Sequence, residues 1–261
     1  MEKLLEIIEK AEKSKSQEVF VVAGGEPRMH TLSGWIPIFE QKIQVQDWGM
    51  LVQSAILDKM TGLFSAGLFR KGLGDWSYHF STEPQYLWMK RLGRHIPETS
   101  DLNLPPVILE MASRSRGLVL ISGPRFSGKT TTLAAVMRKI KCEKYSLIEY
   151  ISPLQEFEIQ GERGVLVHKV DFDLVRGAHP DVVVYDSHWN SKAFDYVKNY
   201  LSRGSLVFLA LPGLSCHSAI DAFLACADDR NLAIRLLQDN LITAINQRVM
   251  IGSNLDRLSA T

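Results

Sequence analysis

The stretch GLVLISGPRFSGKTT, residues 117–131, constrains this chain more than any other. A short apolar run of buried-strand type (117–122) leads into a loop of the pattern GxxxxGK[ST], and Lys129 to Ile140 then has helical composition. Strand, glycine loop and helix in that order make a device for holding anions. Glycines at 123 and 128 let successive backbone N–H groups curl around phosphate oxygens, while the helix presents its positive dipole end and unpaired donors to the same group. Lys129 is placed to reach β- and γ-phosphates and Thr130 to offer a hydroxyl to Mg²⁺. Gly123, Pro124, Arg125, Phe126, Ser127, Gly128, Lys129, Thr130 and Thr131 are therefore the expected ATP- or ADP-binding residues. The alternative is a glycine-rich strand-to-helix turn that holds no nucleotide.

Such a loop requires an α/β sheet around it, and the downstream sequence predicts one. YSLIEYI (145–151), VVVY (182–185) and SLVFLAL (205–211) read as apolar strands, and Asp195–Leu201 and Leu232–Gln247 as helices. Apolar strands alternating with helices predict a parallel sheet. Upstream the grammar differs. Leu4, Leu5, Ile7 and Ile8 form one stripe of an amphipathic helix, VFVVA, WIPIF and SYHFS are strand-like between glycine turns, and Asp47–Phe64 has a helical period. IPETSDLNLPP (96–106) reads as a linker. A smaller α+β domain over 1–100 and a P-loop nucleotide-binding domain over 101–261 are the expected organisation.

Composition removes several classes. Hydrophobic residues make up 46% and charged residues 23%, as in a globular protein, and 30 Lys and Arg against 29 Asp and Glu create no global field for nucleic acid. Cys142, Cys216 and Cys226 form no CxxC pair, which fits a reducing cytoplasm. Glu2, Glu6 and Glu9 interrupt any signal-peptide core, and no apolar stretch approaches the ~20 residues of a membrane span. No nucleic-acid partner and no direct membrane insertion are expected.

Other chemistry is sparse. Asp186 ends the strand Val182–Tyr185 as a Walker B carboxylate does, which makes it a candidate Mg²⁺ ligand alongside Thr130. Ser187 cannot serve as a carboxylate base, so Glu149 is the candidate for orienting water, and Glu149 and Asp186 form the candidate catalytic pair. The seven histidines show no metal-ligand spacing, and Ser127 and Ser215 lack a nucleophile-elbow context. The tryptophans read as core or interface anchors, with Trp189 placed to pack at a subunit boundary.

The chain resembles the secretion ATPases of type IV pili and type II secretion, most closely their pilus-retraction (PilT-like) branch. GLVLISGPRFSGKTTTLAAVM resembles the family's Walker A segment, PDVVVYDSHWN its Walker B, LVFLALPGLSCHSAIDAF its His-box strand and helix, and INQRVM the end of its core. GGEPRMHTLSGWIPI resembles the start of its PAS-like N-terminal domain, and Asn103–Ile108 its interdomain linker. The resemblance implies a RecA-like P-loop core behind a PAS-like domain. It also implies a homo- or hetero-oligomer of hexameric-ring type, partners in a pilus or secretion motor and its inner-membrane platform, and a location in the cytoplasm or at the periphery of the inner membrane.

Against that family pattern several catalytic parts are altered. The Gly-Glu pair ending Walker B aligns with Asp186-Ser187, and the His of the T-L-H-T box with Pro212. In the Asp box, I-E-D-P-I-E in the family, alignment on Pro153 leaves Ile151, Ser152 and Gln155 for the acids, whereas a two-residue insertion keeps Glu149. The strand that bears arginines in G-R-F-R-V-N is here Gly74-Asp75-Trp76-Ser77-Tyr78-His79, with Lys90 and Arg91 left as a basic pair able to keep one cationic contact. Each lost acid–base or electrostatic contributor typically costs about 10²–10⁴ in rate. The expectation is a pseudo-ATPase that binds nucleotide and serves as a regulatory or structural partner of a motor. An active motor using Glu149 and Asp186, and a nucleotide-independent interaction module, are the alternatives.

Overall fold

A computed structural model describes residues 2–31, 33–49, 64–70, 75–93, 96–97, 99, 102, 104–144, 146–154, 156–169 and 179–248. Two compact units divide the chain, Met1–His95 with Pro153–Glu158, and Ile96–Ser152 with Ile159–Thr261. The second segment of the first unit lies far from the first in sequence, a return that no composition shift announces.

In the first unit, helix α1 (Glu2–Lys13) buries Leu4, Ile7 and Ile8 of the expected stripe together with Ala11, at i, i+3, i+4, i+7, and leaves Leu5 partly buried at its edge. They pack on an antiparallel six-stranded sheet in the order β3-β2-β1-β6-β5-β4. Its strands are β1 (Glu18–Val22), β2 (Arg28–Thr31), β3 (Gly34–Pro37), β4 (Phe64–Arg70), β5 (Asp75–Thr82) and β6 (Gln85–Arg91). Val19, Val21, Leu87 and Met89 alternate onto the covered face with Trp76 and Phe80. The helix expected over Asp47–Phe64 falls mostly at residues 50–63, outside the described residues. At its two ends, Val45–Asp47 form a 3₁₀ turn and Phe64 opens a strand.

The second unit is a six-stranded parallel sheet in the order β12-β7-β11-β10-β8-β9. Helix α2 (Pro106–Ser113) precedes β7 (Gly117–Gly123), which leads into α3 (Lys129–Glu143), β8 (Leu147–Ile151), β9 (Val165–Lys169) and β10 (Val182–Tyr185). Then come α4 (Ser191–Ser202), β11 (Leu206–Pro212), α5 (Cys216–Ala225), α6 (Arg230–Asn240) and β12 (Leu241–Asn246). Handedness decides which helix covers which face. The β7–α3–β8 crossover runs one way along the strand order, whereas β10–α4–β11 and β11–α5–α6–β12 run the other way. Right-handed crossovers then put α3 on one face and α4, α5 and α6 on the opposite one. The core agrees: Leu118, Leu120, Ile151, Val183, Tyr185, Val207 and Leu209 pack with the buried residues of α4 to α6.

One helix is shorter than its sequence predicts. The apolar spacing of Leu232–Gln247 reads as continuous helix, yet α6 ends at Asn240 and LITAIN becomes β12, in parallel register with β7. Pairing with a central strand overrides a local period that fits either structure. Among the described residues no helix is long and apolar enough to cross a membrane.

Candidate functional site

The loop Gly123–Thr130 rises from the carboxyl end of β7, between β11 and β12, where open α/β sheets hold their ligands. Two left-handed residues shape it. Phe126 has φ 62° and Gly128 φ 85°, so left-handed residues flank Ser127, whose N–H donates to Pro124 O at 3.4 Å, and turn the backbone sharply into the start of α3. Gly128 is the helix cap and has no side chain to close that start off. Lys129 is partly buried, and its Nζ donates to Gly123 O at 2.9 Å and Pro124 O at 2.8 Å, folded along the loop. Arg125 lies 5.3 Å from the ring of Phe126, which is 51% exposed at the loop tip.

Thr130 and Asp186, from sequence positions far apart, meet directly. Thr130 Oγ1 donates to Asp186 Oδ2 at 2.7 Å, and Asp186 N donates to Ile151 O at 2.8 Å, which fixes the carboxylate at the ends of β10 and β8. A hydroxyl and a carboxylate at this separation are hard oxygen donors of the type Mg²⁺ prefers.

Glu149 lies elsewhere. It pairs in register with Val183, three residues before Asp186 and so about 10 Å below the level of Asp186 along the strand at ~3.3 Å per residue. Its alternation with Ile151 turns it to the α4 face, away from α3, where it is 2% exposed and accepts a hydrogen bond from Tyr196 of α4. Burial, then the hydrogen bond and charge of Glu149, push the Tyr196 phenol far above its ordinary value, and burial with the same charge raises Tyr200. The site thus unites the loop, Thr130 and Asp186 and leaves Glu149 in the core below it.

Other expected contributors have defined partners. Pro212 ends β11 in register with Gly123, so the strand beside the loop closes on a residue with no N–H donor. Lys90 forms ion pairs with Glu156 and, at 3.5 Å, with the fully buried Glu18, and Arg91 Nη2 meets Glu12 at 2.8 Å. Both members of the basic pair thus face carboxylates of their own unit. Trp189 is partly buried against the α4–α6 core: it stacks on Phe223 at 5.7 Å and its Nε1 donates to Ala222 O at 3.1 Å.

Sequence reasoning missed Tyr196 and the end of β12. Asn246 Nδ2 donates to Ser122 Oγ at 2.9 Å and to Gly213 O at 3.2 Å, and Thr132 Oγ1 to Gln247 Oε1 at 3.0 Å. The one sequence hint was the pair of loop glycines, which imply that something occupies their Cβ space without naming it.

No family model matches the chain. Over 160 residues it is 28% identical to the type II secretion system protein E of Klebsiella pneumoniae, covering 57% of this chain and 31% of that protein. Over 162 residues it is 26% identical to the type IV pilus retraction ATPase PilT of Pseudomonas aeruginosa, covering 58% and 47%. The chain spans well under two thirds of the length of either relative. Its fold is that of the crystal structure of the pilus retraction motor PilT with bound ADP, with a TM-score of 0.70 at 21% identity, covering 95% of this chain and 79% of that one. The chain is thus similar in sequence to type II secretion and type IV pilus ATPases and has the RecA-like fold of the PilT motor.

Proposed function

We propose that the chain binds Mg-ATP or Mg-ADP through Gly123–Thr131 and hydrolyses ATP weakly or not at all, acting as a regulatory or structural partner of a pilus- or secretion-type motor. The observation that carries this reading is the separation within the site. The phosphate loop, Thr130 and Asp186 lie together at the strand ends, with Thr130 Oγ1 to Asp186 at 2.7 Å, whereas Glu149 is 2% exposed in the core. Thr130 and Asp186 are the residues that would hold Mg²⁺, and the ion would supply charge neutralisation at the phosphates. Binding needs the loop; hydrolysis also needs a group that orients water within hydrogen-bond reach of the γ-phosphate. Pro212 beside Gly123 and the internally paired Lys90 and Arg91 withdraw further candidates for transition-state contacts. Assembly into a hexameric ring, alone or with a homologous subunit, and peripheral placement at the inner membrane with the motor's platform belong to the same proposal.

Excess protein mixed with trace labelled Mg-ATP tests it, with the bound fraction and the fraction converted to ADP followed in one sample. Tight binding without conversion over hours, lost in Lys129→Ala, is the expected result. A second reading, an active motor, is favoured by the Thr130–Asp186 pair. Conversion within seconds to minutes, abolished by Lys129→Ala, establishes that reading instead. No binding to either protein leaves the interaction module.

A further inference from the structure

The residue after β12 touches the phosphate loop at both ends. Gln247 N donates to Ser122 O at 2.7 Å, which carries the β12–β7 pairing past the last strand residue to the base of the loop. Its carbonyl oxygen stands where a Cβ on Gly123 would be, so this first glycine is required by close approach. Its side chain then reaches the other end. Oε1 accepts from Thr132 Oγ1 at 3.0 Å, and Nε2 lies 2.9 Å from the position of a Cβ on Gly128. Thr132 is 1% exposed in the first turns of α3, so the hydroxyl that holds the amide is itself fixed. One residue therefore spans Gly123, Gly128 and Thr132, which bracket the turn into α3.

We infer that Gln247 is a positioning residue for the phosphate loop: it holds Gly123 and Gly128 at the spacing a diphosphate requires and presents a neutral amide N–H₂ edge beside Gly128. This rests on the reading of the loop as a nucleotide site. A loop already held in its binding geometry loses less entropy when the anion arrives, so the brace acts on affinity more than on folding. The side chain's charge is as important as its shape. Gln247→Glu retains an acceptor for Thr132 but sets a carboxylate beside Gly128, where it opposes a bound phosphate.

Binding of fluorescently labelled Mg-ADP to the full chain tests the inference, with melting temperature measured without nucleotide. Gln247→Ala weakens binding by about 3- to 10-fold, the range expected for one lost neutral hydrogen bond. Thr132→Val weakens it similarly, and the double variant is no weaker than the worse single one, since both remove the same brace. Gln247→Glu binds less well than Gln247→Ala, and the deficit shrinks with added salt. A purely structural role gives the opposite order, with Gln247→Glu restoring wild-type binding. That order, or wild-type affinity in Gln247→Ala, overturns the inference while the nucleotide reading stands. Failure of the wild type to bind Mg-ADP at all overturns both.

Discussion

Replacing Tyr196 by phenylalanine deletes one oxygen and tests whether Glu149 belongs to the core or to the nucleotide. The phenol donates to a carboxylate that is 2% exposed on β8, so the deletion removes a hydrogen bond to a charged acceptor in a site that water does not readily refill. Such bonds contribute about 1.5–3 kcal/mol. For a domain of 150–250 residues each kcal/mol moves the midpoint by about 2–4 °C, so Tyr196→Phe lowers the melting temperature by roughly 3–12 °C. Glu149→Gln, whose amide still accepts from the phenol, has a smaller effect, and the double variant is less destabilised than the sum of the two. A pH signature accompanies this. The phenol is raised above its ordinary 10.0 by burial and then by Glu149, so the stability it contributes is complete below pH 10 and lost as pH climbs beyond it. Tyr196→Phe therefore flattens the alkaline limb of the stability curve. Differential scanning fluorimetry across pH, paired with labelled-ATP turnover, reads both. A Tyr196→Phe protein that melts like the wild type, together with a Glu149→Gln protein that loses turnover but no stability, refutes the reasoning and returns Glu149 to the reaction.

Three further outcomes are expected. Gly93→Ala places a Cβ 2.5 Å from Phe157 Cε1, so the ring must move and the first unit loses about 1–3 kcal/mol, seen as a lower urea midpoint. Lys90→Met removes the cation facing Glu156 and the fully buried Glu18 and costs about 3–5 kcal/mol by the same measurement, whereas Lys90→Arg costs much less. His168 is held below its ordinary 6.5 by burial, so its contribution to stability is present above pH 6.5 and lost as pH falls, and His168→Asn flattens the acid limb of the urea-midpoint profile.

The phosphate loop was legible because its chemistry is local: glycines, lysine and threonine within eight positions, between a strand and a helix. Asp186 was legible as the polar end of an apolar strand, and its meeting with Thr130 Oγ1 at 2.7 Å is the part that only the fold discloses. Glu149 shows where that logic stops. Its place on a strand was readable, but its direction depends on two non-local facts, the strand order and the face each crossover helix covers. Parity alone makes Glu149 share a face with Ile151, and only the β10–α4–β11 crossover says that this face holds Tyr196. The end of α6 failed for the same reason: LITAIN satisfies a helical period, and its partner β7 lies more than a hundred residues upstream. The 153–158 segment of the first unit carries no local signal at all.

Phe126 helps to decide between a nucleotide loop and a mere turn. A non-glycine residue at φ 62° costs about 1–2 kcal/mol, and a bulky one is a real outlier at that angle. A loop that only joined β7 to α3 would have an unstrained solution available, because strand-to-helix connections of this length have many. The strain is instead fixed on both sides, by Ser127 at 2% exposure with its N–H on Pro124 O and by Lys129 bonded to Gly123 O and Pro124 O. Strained backbone persists where its surroundings over-determine it, and the positions over-determined here are the ones that lead into the N-terminus of α3. The ring of Phe126 gains nothing from burial in exchange, being 51% exposed. The strained loop stands at the N-terminus of α3 with Thr130 and Asp186 beside it, the place where an anion would be held under the proposed reading, and that reading gives the strain a use which a plain connection does not.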